Sequence, residues 1–395
     1  MLRLTNKSYS KIPLVLGILF GILLGVYFPE YMVFLKPIGD IFLNLLITAV
    51  VPLVFFAISS CLANFPSSHR VSKLVINLAV VFLGTTLMAG IVAEIALRFI
   101  PVTFDFSKLQ IAIPKSAPIS GNSIVQMFSV NDFGELLSQK AMLPLMVISL
   151  LLGLAARRAK AEGGAFRSFL LSGNEVVKSL LEIIMKFAPI GLGIYFGSQL
   201  AAMGPQSGGS FTRLLIVATC ILLFYYLFVF SAYAYLAGGF KAVVRYWKSN
   251  LLPSATAVST CSSIASLPSN LRVSEKMGIP AAVGNLALPL GAIVHKEGSA
   301  IVTIVGIAVI TRGIAGWEGI LMALFIASLM SLVVGSIPNG GYTGIFFIVA
   351  VYHLSSEVVP FMIIISTLLD PIVTLVNVTG DTTSALIVAR IVAEE

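Results

Sequence analysis

The segment from about Glu357 to Arg390 is apolar and long enough to cross a bilayer, yet it carries two aspartates. Asp370, Thr374, Asn377 and Asp381 follow one another at intervals of four, three and four residues. On a helix that spacing places them along one stripe. A carboxylate at membrane depth is costly unless something pairs with it, so it marks function by default. A cationic substrate group, a metal ion, a proton or a fixed lysine would each meet that need. The bland alternative is a polar stripe that glues one helix to another, but glue rarely uses two carboxylates on one helix.

The rest of the chain has the same character. Of its 395 residues 58% are apolar and 11% are charged, against about 25% charged in a soluble domain. The expected class is an all-α, multi-pass integral membrane protein. The net charge of +8 then reflects basic cytoplasmic loops, not nucleic-acid binding. Cys61, Cys220 and Cys261 show neither pairing nor metal-ligand spacing, and nothing indicates a cofactor. The short basic segment Met1–Lys11 precedes an apolar run without a small-residue cleavage site, which predicts an uncleaved first span and a cytoplasmic N-terminus.

Six spans are predicted in the first part: Ile12–Phe28, Ile38–Leu62 with Pro52 inside it, Lys73–Ile100 with Thr85, Thr86 and Glu94, Met142–Ala156, roughly Val176–Met203, and Phe211–Ala237. Basic residues follow the second, fourth and sixth: Arg70 and Lys73, Arg157 and Arg158, Lys241 and Arg245. The positive-inside rule accepts that alternation. Gly17, Gly21 and Gly25 recur every four residues, a signal of close helix packing. Glu94 reads as a packing acid or a lipid-interface residue.

After Lys248 the pattern changes. Residues 249–277 are interrupted by the polar tip Ser259–Pro268, and each arm is too short to cross. Residues 280–310 form a span containing Gly291-Ala-Ile-Val-His-Lys-Glu-Gly298. Residues 317–353 are broken by Gly335–Gly341, and a last span covers 357–392. The second half therefore reads as hairpin, broken span, hairpin, span, with hairpins entering from opposite faces. Non-helical backbone at membrane depth is tolerated only inside protein or beside a cavity. Paired broken segments mark a transporter's binding site. Kinked full spans are the competing reading. Helix N-termini at hairpin tips favour a carboxylate, and Asp370 favours an ammonium, so together they suit an amino-acid zwitterion.

The span order, Ser259–Pro268, Pro289-Leu-Gly-Ala292, Ser336–Gly341 and above all Val376-Asn-Val-Thr-Gly-Asp381 resemble the dicarboxylate/amino acid:cation symporter family, the glutamate transporter homologues, over nearly the whole chain. The resemblance implies eight transmembrane helices plus two re-entrant helical hairpins, arranged as a homotrimeric elevator transporter in membrane lipid. It implies scaffold spans one and two in 1–70, transport-domain span three in 71–100, an extracellular loop with scaffold spans four and five in 101–210, and the remaining transport domain in 211–395. By position, Asp370 holds the substrate ammonium; Asn377, Ser263 and hairpin backbone such as Ile337 hold its carboxylate. Ser262, Ser299, Gly341, Val373 and Thr374 line the pocket.

Three departures shape the expected function. Val373 stands where members carrying acidic substrates have arginine, and Cys261 where some homologues place one, which favours a neutral amino acid over glutamate. The sodium-binding Asn-Met-Asp-Gly of the family reads His295-Lys296-Glu297-Gly298 here. Its ammonium is expected to pair with Glu297 or Asp381 as a tethered cation, repelling a mobile one. Ile293 replaces a threonine ligand, whereas Gly291, Thr85 and Thr86 remain as ion-site equivalents. Sodium coupling is therefore expected to be lost or reduced and no metal held at high occupancy. Proton drive through Glu297 or His295 stays open, as does a purely structural salt bridge. The alternatives are a sodium- or proton-coupled acidic amino-acid or dicarboxylate symporter and, from another class, an anion channel or non-transporting receptor. His295-x-Glu297 lacks the Pro-Cys-x-x-Cys of a deaminase, and Ser299 beside Lys296 is too commonplace to suggest an enzyme. A bacterial inner or plasma membrane is the expected location.

Overall fold

The computed structural model describes residues 12–64, 69–102, 129–138, 141–203, 208–334, 345, 348, 349, 352 and 358–394. Among them the chain is mostly helical and has no strand, which follows from its apolar runs: in lipid, each backbone polar group must find its partner inside its own segment. The helices are α1 Ile12–Tyr27, α2 Pro29–Ala63, α3 His69–Phe99, α4 Met142–Arg158, α5 Gly164–Met185, α6 Ala188–Met203, α7 Gly208–Phe224, α8 Phe230–Thr260, α9 Ser263–Met277, α10 Ala281–Val294, α11 Glu297–Ile310, α12 Gly316–Val334 and α13 Val358–Glu394.

Two groups of helices emerge from the packing. In the first, α1 lies on α6, and α2 lies on α4, α5 and α6. Here the glycine repeat acts as expected. A Cβ at Gly17, Gly21 or Gly25 would strike the backbone of Pro189, Gly193 or Gly197, so two helix backbones touch directly. In the second, α11 is the hub. It is apolar nearly all round and buried along its length, as a central helix must be. Around it stand α3, α12, α13 and α7, α10 packs on α13 and α9, and α8 and α9 cover α13. The groups meet where α13 touches α6 and α12 touches α2.

Several boundaries differ from expectation. The predicted fifth span, Val176–Met203, is two helices that part at Lys186–Phe187. The first of them begins at Gly164, because its opening turns carry Arg167, Asn174 and Glu175 and give no apolar run to detect. The first arm of the first hairpin starts after the non-helical Gly238–Gly239, well before residue 249. Helix length and composition alone qualify four stretches as spans among the described residues: Lys73–Phe99, Gly209–Thr260, Ala281–Ile310 and Phe361–Ala393. The eight-span count is therefore not reached on that criterion, since α1 and α6 have 16 residues each, about 24 Å of helix.

The perimeter is apolar. Phe20, Phe34, Phe99, Leu236 and Phe240 are exposed, a surface suited to lipid or to another subunit. Glu94 is buried and accepts from Arg98 Nε at 3.1 Å, one turn away on the same helix.

Candidate functional site

Three interruptions of regular helix converge on the hub. The first is the break between α10 and α11, where His295 is extended and Lys296 also leaves the helical region, with φ, ψ of −123°, 110° and −141°, 70°. In extended backbone neighbouring side chains leave on opposite sides. The imidazole of His295 therefore goes one way, toward α3 and α13, and the ammonium of Lys296 turns back along α10.

His295 lies at the centre of a buried polar cluster. Its Nδ1 is 3.0 Å from Asp381 Oδ1 and its Nε2 is 2.9 Å from Thr85 Oγ1. Glu297 Oε1 stands 3.7 Å from the same Nε2. Phe82 stacks on the ring, with centroids 4.3 Å apart and planes 11° from parallel. The second interruption, a π-helical turn at Tyr225–Val229 between α7 and α8, brings in Tyr225. Its hydroxyl lies 3.1 Å from both Glu297 Oε1 and the Thr85 carbonyl, and donates to one of them at a time. π-turns of this kind recur at functional sites. His295, Glu297 and Asp381 are each 0% exposed. Asp381 Oδ2 and Glu297 Oε2 have no hydrogen-bond partner among the described residues. Two glycines make room for the acids: a side chain at Gly291 would collide with the Asp381 carboxylate, and one at Gly380 with that of Glu297.

The expected pairing of Lys296 is corrected here. Lys296 is buried, but its Nζ donates to the Ala292 carbonyl at 2.7 Å and more weakly to that of Gly291 at 3.4 Å. No carboxylate lies within ion-pair distance of it among the described residues. It caps the last carbonyls of α10, where the negative end of the helix dipole lies. The carboxylates make their close contacts with His295 instead, while Asp381 acts on the Lys296 ammonium through space. The Lys296 amide donates to Ser331 Oγ on α12 at 2.7 Å, and Ser331 Oγ is 3.5 Å from Thr86 Oγ1. Ile293 is half-buried and joins neither cluster.

On α13 the predicted stripe exists. Thr374 Oγ1 donates to Asp370 Oδ1 at 3.3 Å. Asn377 Oδ1 accepts from the amides of Gly298 at 2.8 Å and Ser299 at 3.3 Å, and its Nδ2 donates to Ser299 Oγ at 3.3 Å. The free N–H groups at the start of α11 are thus satisfied by an α13 side chain. Gly298 permits this approach, since a Cβ there would meet the Val373 carbonyl at 2.5 Å. Val373 itself is buried.

The third interruption is the tip of the first hairpin. Cys261 is left-handed, at φ 47°, and Ser262 Oγ accepts from the Ala265 amide at 3.2 Å as the cap of α9. Ser263 is the first residue of α9 and half-buried. Neither serine bonds to α13 among the described residues; α9 is fastened to it by Asn270, whose Nδ2 donates to the Val378 carbonyl at 2.9 Å. Ile337 and Gly341, expected from sequence at the tip of a second hairpin, lie outside the described residues.

Sequence reasoning missed Tyr225, Phe82, Ser331 and Asn270. A signal existed for Tyr225, because a tyrosine hydroxyl in an apolar helix needs a partner. None existed for the other three.

A chain of apolar helices organised round a broken central helix, with polar groups gathered at the break, is a membrane transporter in architecture. The comparisons agree. The sodium:dicarboxylate symporter family matches residues 12–391, and the chain belongs to that family. It is 28% identical, over 95% of its own length and 92% of the relative's, to the proton/sodium-glutamate symport protein of Bacillus caldotenax. The same figures hold for the protein of that name from Geobacillus stearothermophilus. Against the C4-dicarboxylate transport protein of Pseudomonas fluorescens it is 26% identical, over 96% of this chain and 88% of the other.

Proposed function

We propose that this protein is a secondary transporter for a small carboxylate-bearing solute, bound between the stripe of α13 and the break between α10 and α11. The observation that carries this reading is Asn377. It ties α13 to the first amides of α11, next to the acid–hydroxyl pair Asp370–Thr374. Those amides are taken by Asn377, so the start of α9 at Ser263 is the helix end that would favour a carboxylate, and Asp370 suits an ammonium.

Two readings of the solute follow. The relatives' names favour an acidic one, glutamate or a C4-dicarboxylate. The residues of this chain favour a neutral amino acid, since Val373 offers no cation to a second carboxylate and an unpaired one would be disfavoured there. The comparisons weigh more heavily on the class of solute; Val373 bears on its side chain.

Sodium is the ion that the family name implies, and the oxygens present suit it poorly. Lys296 takes up the α10 carbonyls, and His295 fills the space between Thr85, Asp381 and Glu297. Transport with sodium coupling lost or reduced is therefore the reading that the geometry supports. The packing of the helices into two groups supports an elevator, with α1, α2, α4, α5 and α6 as scaffold and the rest as the moving part. A trimer in a bacterial plasma membrane accords with the apolar perimeter and the bacterial relatives.

Uptake into proteoliposomes tests this reading, with labelled glutamate, succinate and a set of neutral amino acids. Saturable uptake with counterflow is expected for at least one of them. Unsaturable current would point to a channel, and binding without flux to a receptor.

A further inference from the structure

The base of the first hairpin gathers cations that lie apart in sequence. On α8, past the break at Gly238–Gly239, Lys241, Arg245 and Lys248 recur at helical spacing and are exposed, which puts them on one stripe. On α9, Arg272 and Lys276 are one turn apart and also exposed. The two helices meet at this end. A Cβ on Gly278, just past α9, would lie 3.0 Å from Arg245 Nη1. In an antiparallel pair held at that point, Lys248 comes level with Glu275, each three residues from the contact. Glu275 is the one acid that these two stretches set against the five cations. None of the five is held in an ion pair among the described residues.

An apolar stripe runs beside the basic one. Phe240, Val244 and Leu251 are 73%, 36% and 71% exposed, and their spacing of four and seven residues aligns them. The buried face of the helix, with Ala242, Tyr246 and Asn250, lies on the other side. A helix that shows a basic stripe next to an exposed apolar one suits a membrane surface, with the apolar residues among acyl chains and the cations among headgroups. Tyr235, exposed just before the break, is of the type that gathers at that boundary.

We propose that the base of the α8–α9 hairpin is a docking surface for anionic phospholipid headgroups. Lys241, Arg245, Lys248, Arg272 and Lys276 meet the phosphates, arginine through paired donors and lysine as a point charge, while Phe240 and Leu251 lie against the acyl chains. The positive-inside bias asks only for basic residues in a cytoplasmic segment. Here the fold brings two such segments onto one end of a helix pair, next to apolar residues that a free phosphate ion would not need. The inference is independent of the solute carried.

The test is thermal unfolding of purified full-length protein in uncharged detergent, titrated at constant ionic strength with phosphatidylglycerol, phosphatidylcholine or potassium phosphate. Phosphatidylglycerol is expected to raise the unfolding temperature saturably by roughly 4 °C, and the other two to leave it unchanged. Each cation near an anionic surface contributes about fivefold in affinity. Lys241→Gln combined with Arg272→Gln and Lys276→Gln should therefore demand about 100-fold more phosphatidylglycerol for the same rise. Arg158→Gln combined with Lys160→Gln and Lys186→Gln removes the same charge elsewhere and should keep the native response. Equal losses in the two triple variants would mean undirected attraction to a basic protein and would overturn the proposal. A flat response to phosphatidylglycerol would overturn it too, as would an equal rise with phosphatidylcholine, or with phosphate, which would assign the surface to a free anion. If the hairpin triple variant does not fold, Lys241→Gln with Lys276→Gln is read by the same criteria; if neither folds, the cations are structural and the docking surface is refuted.

Discussion

At Asp370, Val373 and Lys296 the account makes its most local commitments. Asp370→Asn keeps the shape of the Asp370–Thr374 pair and removes the charge that faces an ammonium. Loss of one partner of a buried charge pair should weaken amino-acid binding by ~30-fold or more, measured by equilibrium binding of labelled solute; unchanged affinity would mean that no ammonium is held there. Val373→Arg supplies the missing cation, so a competition assay should show preference moving toward solutes with two carboxylates. Lys296→Met strips the Ala292 carbonyl of its donor and should cost about 1–3 kcal/mol of stability, read from denaturant unfolding. From sequence, the spacing of Asp370, Thr374, Asn377 and Asp381 was enough to place them on one stripe, because helical periodicity is rigid. The roles of His295 and Lys296 were not legible in the same way. They are adjacent in sequence, and only the extended backbone at the break decides which of them meets the acids and which caps the helix.

Among the elements, α1 and α6 show the strongest link from sequence to packing. Gly21 lies so close to Gly193 that a methyl group would overlap backbone atoms. Backbone cannot step aside as a flexible side chain can, so Gly21→Ala should destabilise the protein by about 1–3 kcal/mol. Gly84 has open space around it, and Gly84→Ala, measured alongside by thermal unfolding, should be neutral or better. The broken span was readable at Gly291–Gly298 because charged residues interrupt an apolar run. Helix α5 was not, because its polar opening turns resemble a loop when hydropathy is the only guide. The π-turn at Tyr225 has no sequence signature at all; its tyrosine hydroxyl reaches Thr85 on α3 and Glu297 on α11.

For the whole molecule, composition alone identifies a helical membrane protein, since so few charges leave no soluble alternative. The division into a scaffold and a transport part was expected only through the family resemblance; the described helices do pack as two groups. Each group has its own dense contacts, and few helices bridge them. The proposal of lost or reduced sodium coupling rests on the break of the central helix, where His295 meets Thr85 and Asp381 and Lys296 bonds the Ala292 carbonyl. The most direct test of that claim is uptake of the preferred solute into proteoliposomes with external sodium replaced by choline. The account predicts a rate that is unchanged by the replacement. A rate that collapses without sodium would contradict it.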